Sequence, residues 1–215
     1  SATKRKDKIL NEFKNNNITN HHRISACLPP ENNKVKRMKE NACCRSHLKA
    51  LSTFLFNSND EYALICEDDL TFEFKSMWKK NVEEVIQEAP KDWGIIQLAT
   101  IIQNIEPKFK VRPLYFKWQE QKSSSTLAYL VHRKSAMEIL NAFFKQYNIL
   151  KISAADCFSG GIYNIMDHET QYKTYTYKYP MFIYPDENDS QLENELSLHI
   201  ASKKQLKQYL KKYLI

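Results

Sequence analysis

The chain has 215 residues, of which 42% are hydrophobic and 12% aromatic, so it holds enough apolar material for a packed core. This composition excludes a disordered chain, and 3 glycines without a GxGxxG or Walker sequence disfavour folds that depend on glycine-rich phosphate loops. The formal net charge of +7 favours an anionic partner, such as a nucleotide, a phosphorylated glycan, a nucleic acid or a membrane surface.

Apolar periodicity divides the chain into interleaved helices and strands. The predicted helices are 4–14, 34–56, 75–88, 134–147 and 202–214. The predicted strands are HHRISACL at 21–28 and the segments YALIC, WGIIQLAT, LYFKW, TLAYLV and TYTYKYPMFIY. This alternation predicts an α/β fold with a mostly parallel central sheet flanked by helices, in a single domain over residues 1–215. The basic last helix is expected to pack on the protein, with weak membrane-surface contact as the alternative.

The cysteines indicate a reducing compartment. There are five, an odd number, and no CxxC pair is present, so the pattern predicts neither a disulfide framework nor a zinc site. No signal peptide or apolar run of transmembrane length is visible. We therefore expect a cytoplasmic protein with buried thiols, in solution or peripheral to a membrane.

The segment YALICEDDL places three acids, Glu67, Asp68 and Asp69, directly after a predicted buried strand. In an open α/β sheet, ligands bind beyond the carboxyl ends of strands. If the strand continues through the acids, alternation puts Glu67 and Asp69 on one side and Asp68 on the other. Carboxylate oxygens suit Mn²⁺ or Mg²⁺, which keep positions for substrate phosphates. From the residues alone, solvated loop acids remain an equal alternative.

Six motifs follow one another along most of the chain. They are ENACCRSHLKAL at 40–51, DEYALICEDDLTF at 60–72, DWGIIQLAT, STLAYLVHRKSAMEIL, SAADCF and YPDENDSQLEN. Their order and spacing resemble glycosyltransferase family 25, which includes the bacterial lipooligosaccharide galactosyltransferases and the collagen hydroxylysine galactosyltransferases. The combination of the Ser-His pair at 46–47 with the EDD at 67–69 is more specific than any single motif.

The resemblance implies a GT-A-like fold and metal-dependent transfer, with inversion, of a sugar from a UDP-sugar donor. Glu67, Asp68 and Asp69 would hold Mn²⁺ or Mg²⁺ on the donor diphosphate. Galactose is the family's commonest sugar, with glucose and N-acetylglucosamine open. The acceptor would be a glycan, a lipid-linked saccharide or hydroxylysine. Asp156 is the first candidate for the general base and Asp189 the second.

The resemblance also implies a set of donor-binding residues. These are Arg5, His47, Gln97, Tyr129 and Ser190. From the residues alone, a histidine on the flank of an apolar helix is also typical of a core histidine bonded to nearby polar groups. His47 therefore has both interpretations.

One departure from the family pattern affects the donor pocket. Family members begin with a strand that reads roughly I-N-L, whereas this sequence opens with SATKRK. A non-catalytic or degenerate module with the same fold is therefore the main alternative. A metal-dependent nuclease is disfavoured because no second acidic or histidine cluster lies near EDD in the sequence. Nucleic acid is thus not an expected partner.

Overall fold

A computed structural model describes residues 2–28, 36–101, 111–120, 124–146, 161–185 and 196–214. Its α-helices are α1 (Ala2–Asn15), α2 (Lys36–Asn57), α3 (Val82–Gln87), α4 (Arg133–Gln146), α5 (Ile162–Glu169) and α6 (Leu196–Leu214). Its strands are β1 (Tyr62–Cys66), β2 (Trp93–Gln97), β3 (Tyr115–Lys117), β4 (Ala128–His132) and β5 (Lys173–Tyr177). Short 3-10 helices lie at Lys75–Met77 and Trp118–Glu120. The predicted mixture of helices and strands is confirmed.

The five strands form one sheet in the order β1-β4-β2-β5-β3. β4 lies antiparallel between β1 and β2, β5 runs parallel to β2, and β3 runs antiparallel to β5. The prediction of a mostly parallel sheet is therefore wrong for the described strands. Apolar periodicity shows that a strand is buried, but it does not fix the direction in which neighbouring strands run.

Two apolar layers cover the sheet. On one face, α2, α4 and α5 contribute to a cluster with inward residues of the strands such as Ile95 and Val131. On the other face, the next residues along the strands, including Ile96 and Leu130, pack with Ile9 of α1. This alternation follows from the two-residue period of a β-strand. Helices therefore flank the sheet, as predicted.

Among the predicted elements that differ in the structure are the strand TYTYKYPMFIY, which ends at Tyr177, and two elements earlier in the chain. Residues 21–28 are not a strand, because polar side chains of α2 form hydrogen bonds with two of their backbone groups. The Cys27 N–H donates to Ser46 Oγ at 2.8 Å, and Lys49 Nζ donates to the Ser25 carbonyl at 3.1 Å. The helix predicted over 75–88 is interrupted, because Asn81 caps a new helix through a reciprocal pair of hydrogen bonds with Glu84.

The last helix packs on the protein, as expected. Leu206 and Leu210 of α6 are buried in a third cluster with Phe74 and Phe116. Glu73 forms ion pairs with two lysines of α6, with Lys203 at 2.7 Å and with Lys207. Within the described residues, none of the helices is both long and apolar enough to cross a bilayer.

Candidate active site

The three acids form a turn at the end of β1, which we call the acidic turn (residues 67–69). β1 ends at Cys66, but the Glu67 N–H still donates to the Leu127 carbonyl at 2.9 Å, which extends the pairing with the β4 side by one residue. The chain then turns, with Asp68 exposed, and returns to the core at Leu70. Because the strand stops before the acids, strand alternation does not determine where their side chains lie.

Glu67 is held by two polar neighbours. Thr126 Oγ1 donates to Glu67 Oε1 at 2.7 Å, and His47 Nε2 lies 3.4 Å from the same oxygen. Burial raises the pKa of Glu67, but the hydrogen bond and charge of His47, with help from Thr126 and Arg5, outweigh it and hold the pKa below its ordinary value. Glu67 is therefore an ionised, oriented carboxylate.

His47 connects the acidic turn to the interior. Its ring is buried on α2, and Nδ1 lies 3.2 Å from the Tyr129 hydroxyl of β4. Tyr129 has no exposed surface, and burial, followed by nearby thiols and Glu67, raises the pKa of its phenol. The phenol therefore stays neutral and fixes the imidazole ring. His47 is thus a core histidine bonded to nearby polar groups, and its contact with the donor stays a prediction.

Asp68 has a cationic neighbour of its own. Arg5 of α1 places its guanidinium 3.2 Å from Asp68 Oδ1, with 16% of the arginine side chain and 47% of the aspartate side chain exposed. Arg5 was predicted from the resemblance to meet the donor, and the structure brings it directly to the acidic turn. α1 is fixed near this turn by Glu12, which accepts a hydrogen bond from the Phe72 N–H at 3.2 Å.

Asp69 differs from Glu67 in that its pKa is raised. Among the described residues, its Oδ1 atom is buried and has no hydrogen-bond partner. Burial, and then the negative charges of Glu67 and Asp68, raise the pKa of Asp69 to about 7, more than Arg5 lowers it. A carboxylate in this situation gains more from a bound cation than a solvated carboxylate does.

The acidic turn offers oxygen donors for a hard divalent cation, although among the described residues the ligand atoms that converge closely enough for one ion are those of Cys43, His47 and Glu67. The acidic turn has three carboxylates at the end of a strand, and one of their oxygens lacks a hydrogen-bond partner within the part of the chain that the structure describes. Oxygen donors of this kind are those that Mn²⁺ and Mg²⁺ prefer. The neighbouring Arg5 gives the same corner a positive group for a phosphate.

Gln97 and Tyr129, predicted as donor-binding residues, are interior residues with no exposed surface. Gln97 Nε2 donates to the Ser125 carbonyl at 2.9 Å, and Thr176 Oγ1 donates to Gln97 Oε1 at 2.9 Å. Tyr163 Oη donates to the same Ser125 carbonyl at 2.9 Å. We call Gln97, Ser125, Tyr163 and Thr176 the sheet-centre network. Gln97 thus supports the fold, and Tyr129 acts on the site through His47.

Ser125 and Thr126 are contributors that the sequence reasoning did not single out as site residues. Ser125 has a φ of 129°, a backbone conformation that non-glycine residues rarely adopt. Its neighbour Thr126 donates to Glu67. Strained backbone often marks functional sites because the surrounding structure has to hold it. The run of serines and threonine at 123–126, just before a buried strand, was the available signal.

Three predicted residues lie outside the described part of the chain. They are the general-base candidates Asp156 and Asp189 and the donor-binding candidate Ser190. The described site thus comprises the acidic turn with Arg5, His47 and Thr126.

The sequence was compared with models of known protein families and with curated proteins. It matches no family model and no curated protein.

Proposed function

We propose that this protein is a metal-dependent glycosyltransferase with a GT-A-like architecture. It moves a sugar, galactose first among the candidates, from a UDP-sugar to a hydroxyl group of a glycan, lipid-linked saccharide or hydroxylysine acceptor, with inversion. The observation that carries the proposal is Oδ1 of Asp69, which is buried without a hydrogen-bond partner among the described residues and lies in a turn of three acids at a strand end. Clustered carboxylates with this deficit suit a cation that a diphosphate then completes.

The residues in and around the acidic turn have separate roles in this proposal. Glu67, Asp68 and Asp69 would hold Mn²⁺ or Mg²⁺, which when bound offsets negative charge on the departing UDP. His47 and Thr126 keep Glu67 ionised and oriented. Arg5, now on Asp68 at 3.2 Å, is the nearby cation that can turn to the diphosphate once a metal neutralises the acid.

Inversion needs a base on the face of the sugar opposite the leaving group. Asp156 remains the first candidate for this base and Asp189 the second. Both lie outside the described residues, so these two roles stay predictions from the resemblance.

A non-catalytic binding module is the second candidate, and one observation favours it. Arg5 and His47 each lie beside one of the three acids, so the protein compensates Asp68 and Glu67 without a metal. Such a module would bind a nucleotide or glycan and leave the sugar–phosphate bond intact. Turnover separates the two candidates.

The test starts from metal-free protein. Isothermal titration with Mn²⁺, and then with UDP in the presence and absence of Mn²⁺, is expected to show one Mn²⁺ site and tighter UDP binding with the metal. Donor hydrolysis is then measured with UDP-galactose, UDP-glucose and UDP-N-acetylglucosamine. Asp69→Asn should lose Mn²⁺ binding and hydrolysis, whereas Glu83→Gln, which neutralises an exposed acid of α3, should retain both.

Three outcomes decide between the candidates. Mn²⁺-dependent UDP binding with hydrolysis supports the transferase. UDP binding without hydrolysis or transfer to any acceptor class supports the binding module. A folded protein that binds neither Mn²⁺ nor UDP overturns both proposals.

A further inference from the structure

A second group of metal-ligating side chains lies beside the acidic turn. Cys43, His47 and Glu67 place one ligand atom each within 4.8 Å of one another. We propose that these three residues form a site for a zinc-type cation, which differs in ligand chemistry from the hard-cation site on the acidic turn and shares Glu67 with it. This inference does not depend on sugar transfer.

The local fold explains why these residues meet. Cys43 and His47 are four residues apart on α2, so they lie one turn apart on the same face of the helix. The absence of a CxxC pair argued against zinc from sequence, but this helical spacing is equally suited to two ligands. Cys44, one residue on, points instead into the apolar cluster between α2 and the sheet and has no exposed surface.

The distances are close to those of a tetrahedral site. With metal–nitrogen and metal–oxygen bonds near 2.1 Å, two such ligands are separated by about 3.4 Å. His47 Nε2 lies 3.4 Å from Glu67 Oε1. For a metal–sulfur bond near 2.3 Å, the ideal separation of sulfur from the other ligands is about 3.6 Å. The Cys43 sulfur lies within 4.8 Å of the ligand atoms of His47 and Glu67. It therefore has to move by only about 1 Å to reach the ideal separation.

The ligand types favour zinc over manganese. A thiolate, an imidazole and a carboxylate form a mixed sulfur, nitrogen and oxygen set that suits Zn²⁺ or Co²⁺, whereas Mn²⁺ and Mg²⁺ prefer oxygen ligands alone. Three protein ligands also leave a fourth tetrahedral position open to water. That position could take an exogenous ligand.

The neighbours of the ligands have the polar contacts that zinc sites usually contain. The Tyr129 hydroxyl lies 3.2 Å from His47 Nδ1, so Nδ1–H can donate to it while Nε2 faces the metal. Thr126 Oγ1 donates to Glu67 Oε1 at 2.7 Å, so it orients the same carboxylate oxygen that faces His47 Nε2. Both contacts are already present without a metal.

The test uses Co²⁺ as a spectroscopic substitute for zinc. Metal-free protein, kept reduced, is titrated with Co²⁺ and followed by optical absorption. A thiolate-to-cobalt charge-transfer band and the intense visible bands of four-coordinate Co²⁺ are expected at one equivalent, and one equivalent of Zn²⁺ should abolish them. Absence of the charge-transfer band from folded protein overturns the proposal.

Variants then assign the ligands. Cys43→Ser should abolish the charge-transfer band and weaken Zn²⁺ binding by at least ~10-fold. Cys27→Ser, a matched change in a cysteine of the 21–28 segment, should leave both unchanged. Asp69→Asn should retain the band, because Asp69 belongs to the acidic turn and not to this set. A band that survives in Cys43→Ser, or that disappears in Asp69→Asn, overturns the assignment.

A measurement on the unsubstituted protein covers the case in which a variant does not fold. Zn²⁺ should slow alkylation of Cys43 by iodoacetamide, while Cys27 reacts at the same rate with and without the metal. Peptide mass spectrometry gives both rates in one experiment. Equal reactivity of Cys43 with and without Zn²⁺ contradicts the site.

Discussion

The sheet-centre network is a buried cluster of polar residues and the acidic turn is a partly exposed one, and the two are satisfied in opposite ways. In the sheet-centre network, the Gln97 amide donates to the Ser125 carbonyl and accepts from Thr176, so donors and acceptors match. In the acidic turn, three acceptor-only carboxylates meet few donors, and Asp69 Oδ1 has none among the described residues. The hydrogen bonds of the matched network account for its place in the fold, whereas the unmatched acceptor of Asp69 can accept a donor or a cation.

The two regions also share a boundary. Ser125 belongs to the sheet-centre network, and the next residue, Thr126, donates to Glu67 of the acidic turn. The strained backbone at Ser125 thus lies between a rigid interior and the candidate site. We infer that the network fixes the position from which Thr126 orients Glu67. Substitutions in each region test this contrast.

The largest expected effect on stability comes from breaking the matched network. Gln97→Leu leaves the Ser125 carbonyl with one donor fewer and the Thr176 hydroxyl without its acceptor in the interior. We expect a loss of about 3 kcal/mol in the free energy of unfolding, measured by urea denaturation.

The matched control is Gln87→Leu, the same change on an exposed position of α3, which should alter stability by less than about 0.5 kcal/mol. Equal effects of the two substitutions would show that the hydrogen bonds of Gln97 add little to the fold.

Removing a charge from the acidic turn should do the reverse and stabilise the metal-free protein. The folded pKa of Asp69, about 7, lies above its ordinary value of 3.8, so the folded chain binds this proton more tightly than the unfolded chain does. The resulting stability is fully present below pH 3.8 and is lost as pH rises through 7. At pH 8, Asp69→Asn should therefore gain on the order of 1 kcal/mol.

Thermal unfolding in a chelator at pH 5.5 and pH 8 measures this effect. The parent chain should lose more stability than Asp69→Asn between the two pH values, while Glu83→Gln should follow the parent. A destabilised Asp69→Asn at pH 8 would mean that Asp69 has a structural partner and would remove the main argument for a cation.

Sequence reasoning found the site's charged residues more easily than its surroundings. The EDD motif after an apolar run was visible, and so was His47, because charge and periodicity are local properties. The contacts of these residues were less accessible. Thr126 reaches Glu67 from 59 positions away along the chain, and Arg5, 63 positions from Asp68, was predicted only from the resemblance. Strand direction was wrong for the same reason, because it depends on the path of the connections and not on the strand's own residues.

A smaller effect is expected at the boundary between the two regions. Thr126→Val keeps the shape of the side chain but removes the hydroxyl that donates to Glu67 at 2.7 Å. Glu67 is half-buried, so water can replace part of this bond, and we expect a loss of about 1 kcal/mol in unfolding free energy. Thr126→Ser retains the hydroxyl and serves as the control. Mn²⁺ affinity should fall in the valine variant and not in the serine variant.

The smallest effect should come from Arg5, although it contacts the acidic turn directly. The Asp68 side chain is about half exposed while Arg5 is mostly buried, and an ion pair that water reaches on one side contributes roughly 1 kcal/mol or less and weakens with salt. Arg5→Gln should thus cost less than about 1 kcal/mol at low ionic strength, and the difference from the parent should disappear in about 1 M salt. Lys6→Gln removes the same charge from an exposed neighbouring position on α1 and should have no such salt-dependent cost. A large, salt-independent loss in Arg5→Gln would instead make Arg5 a structural anchor of α1, and a residue needed there could not turn to a diphosphate.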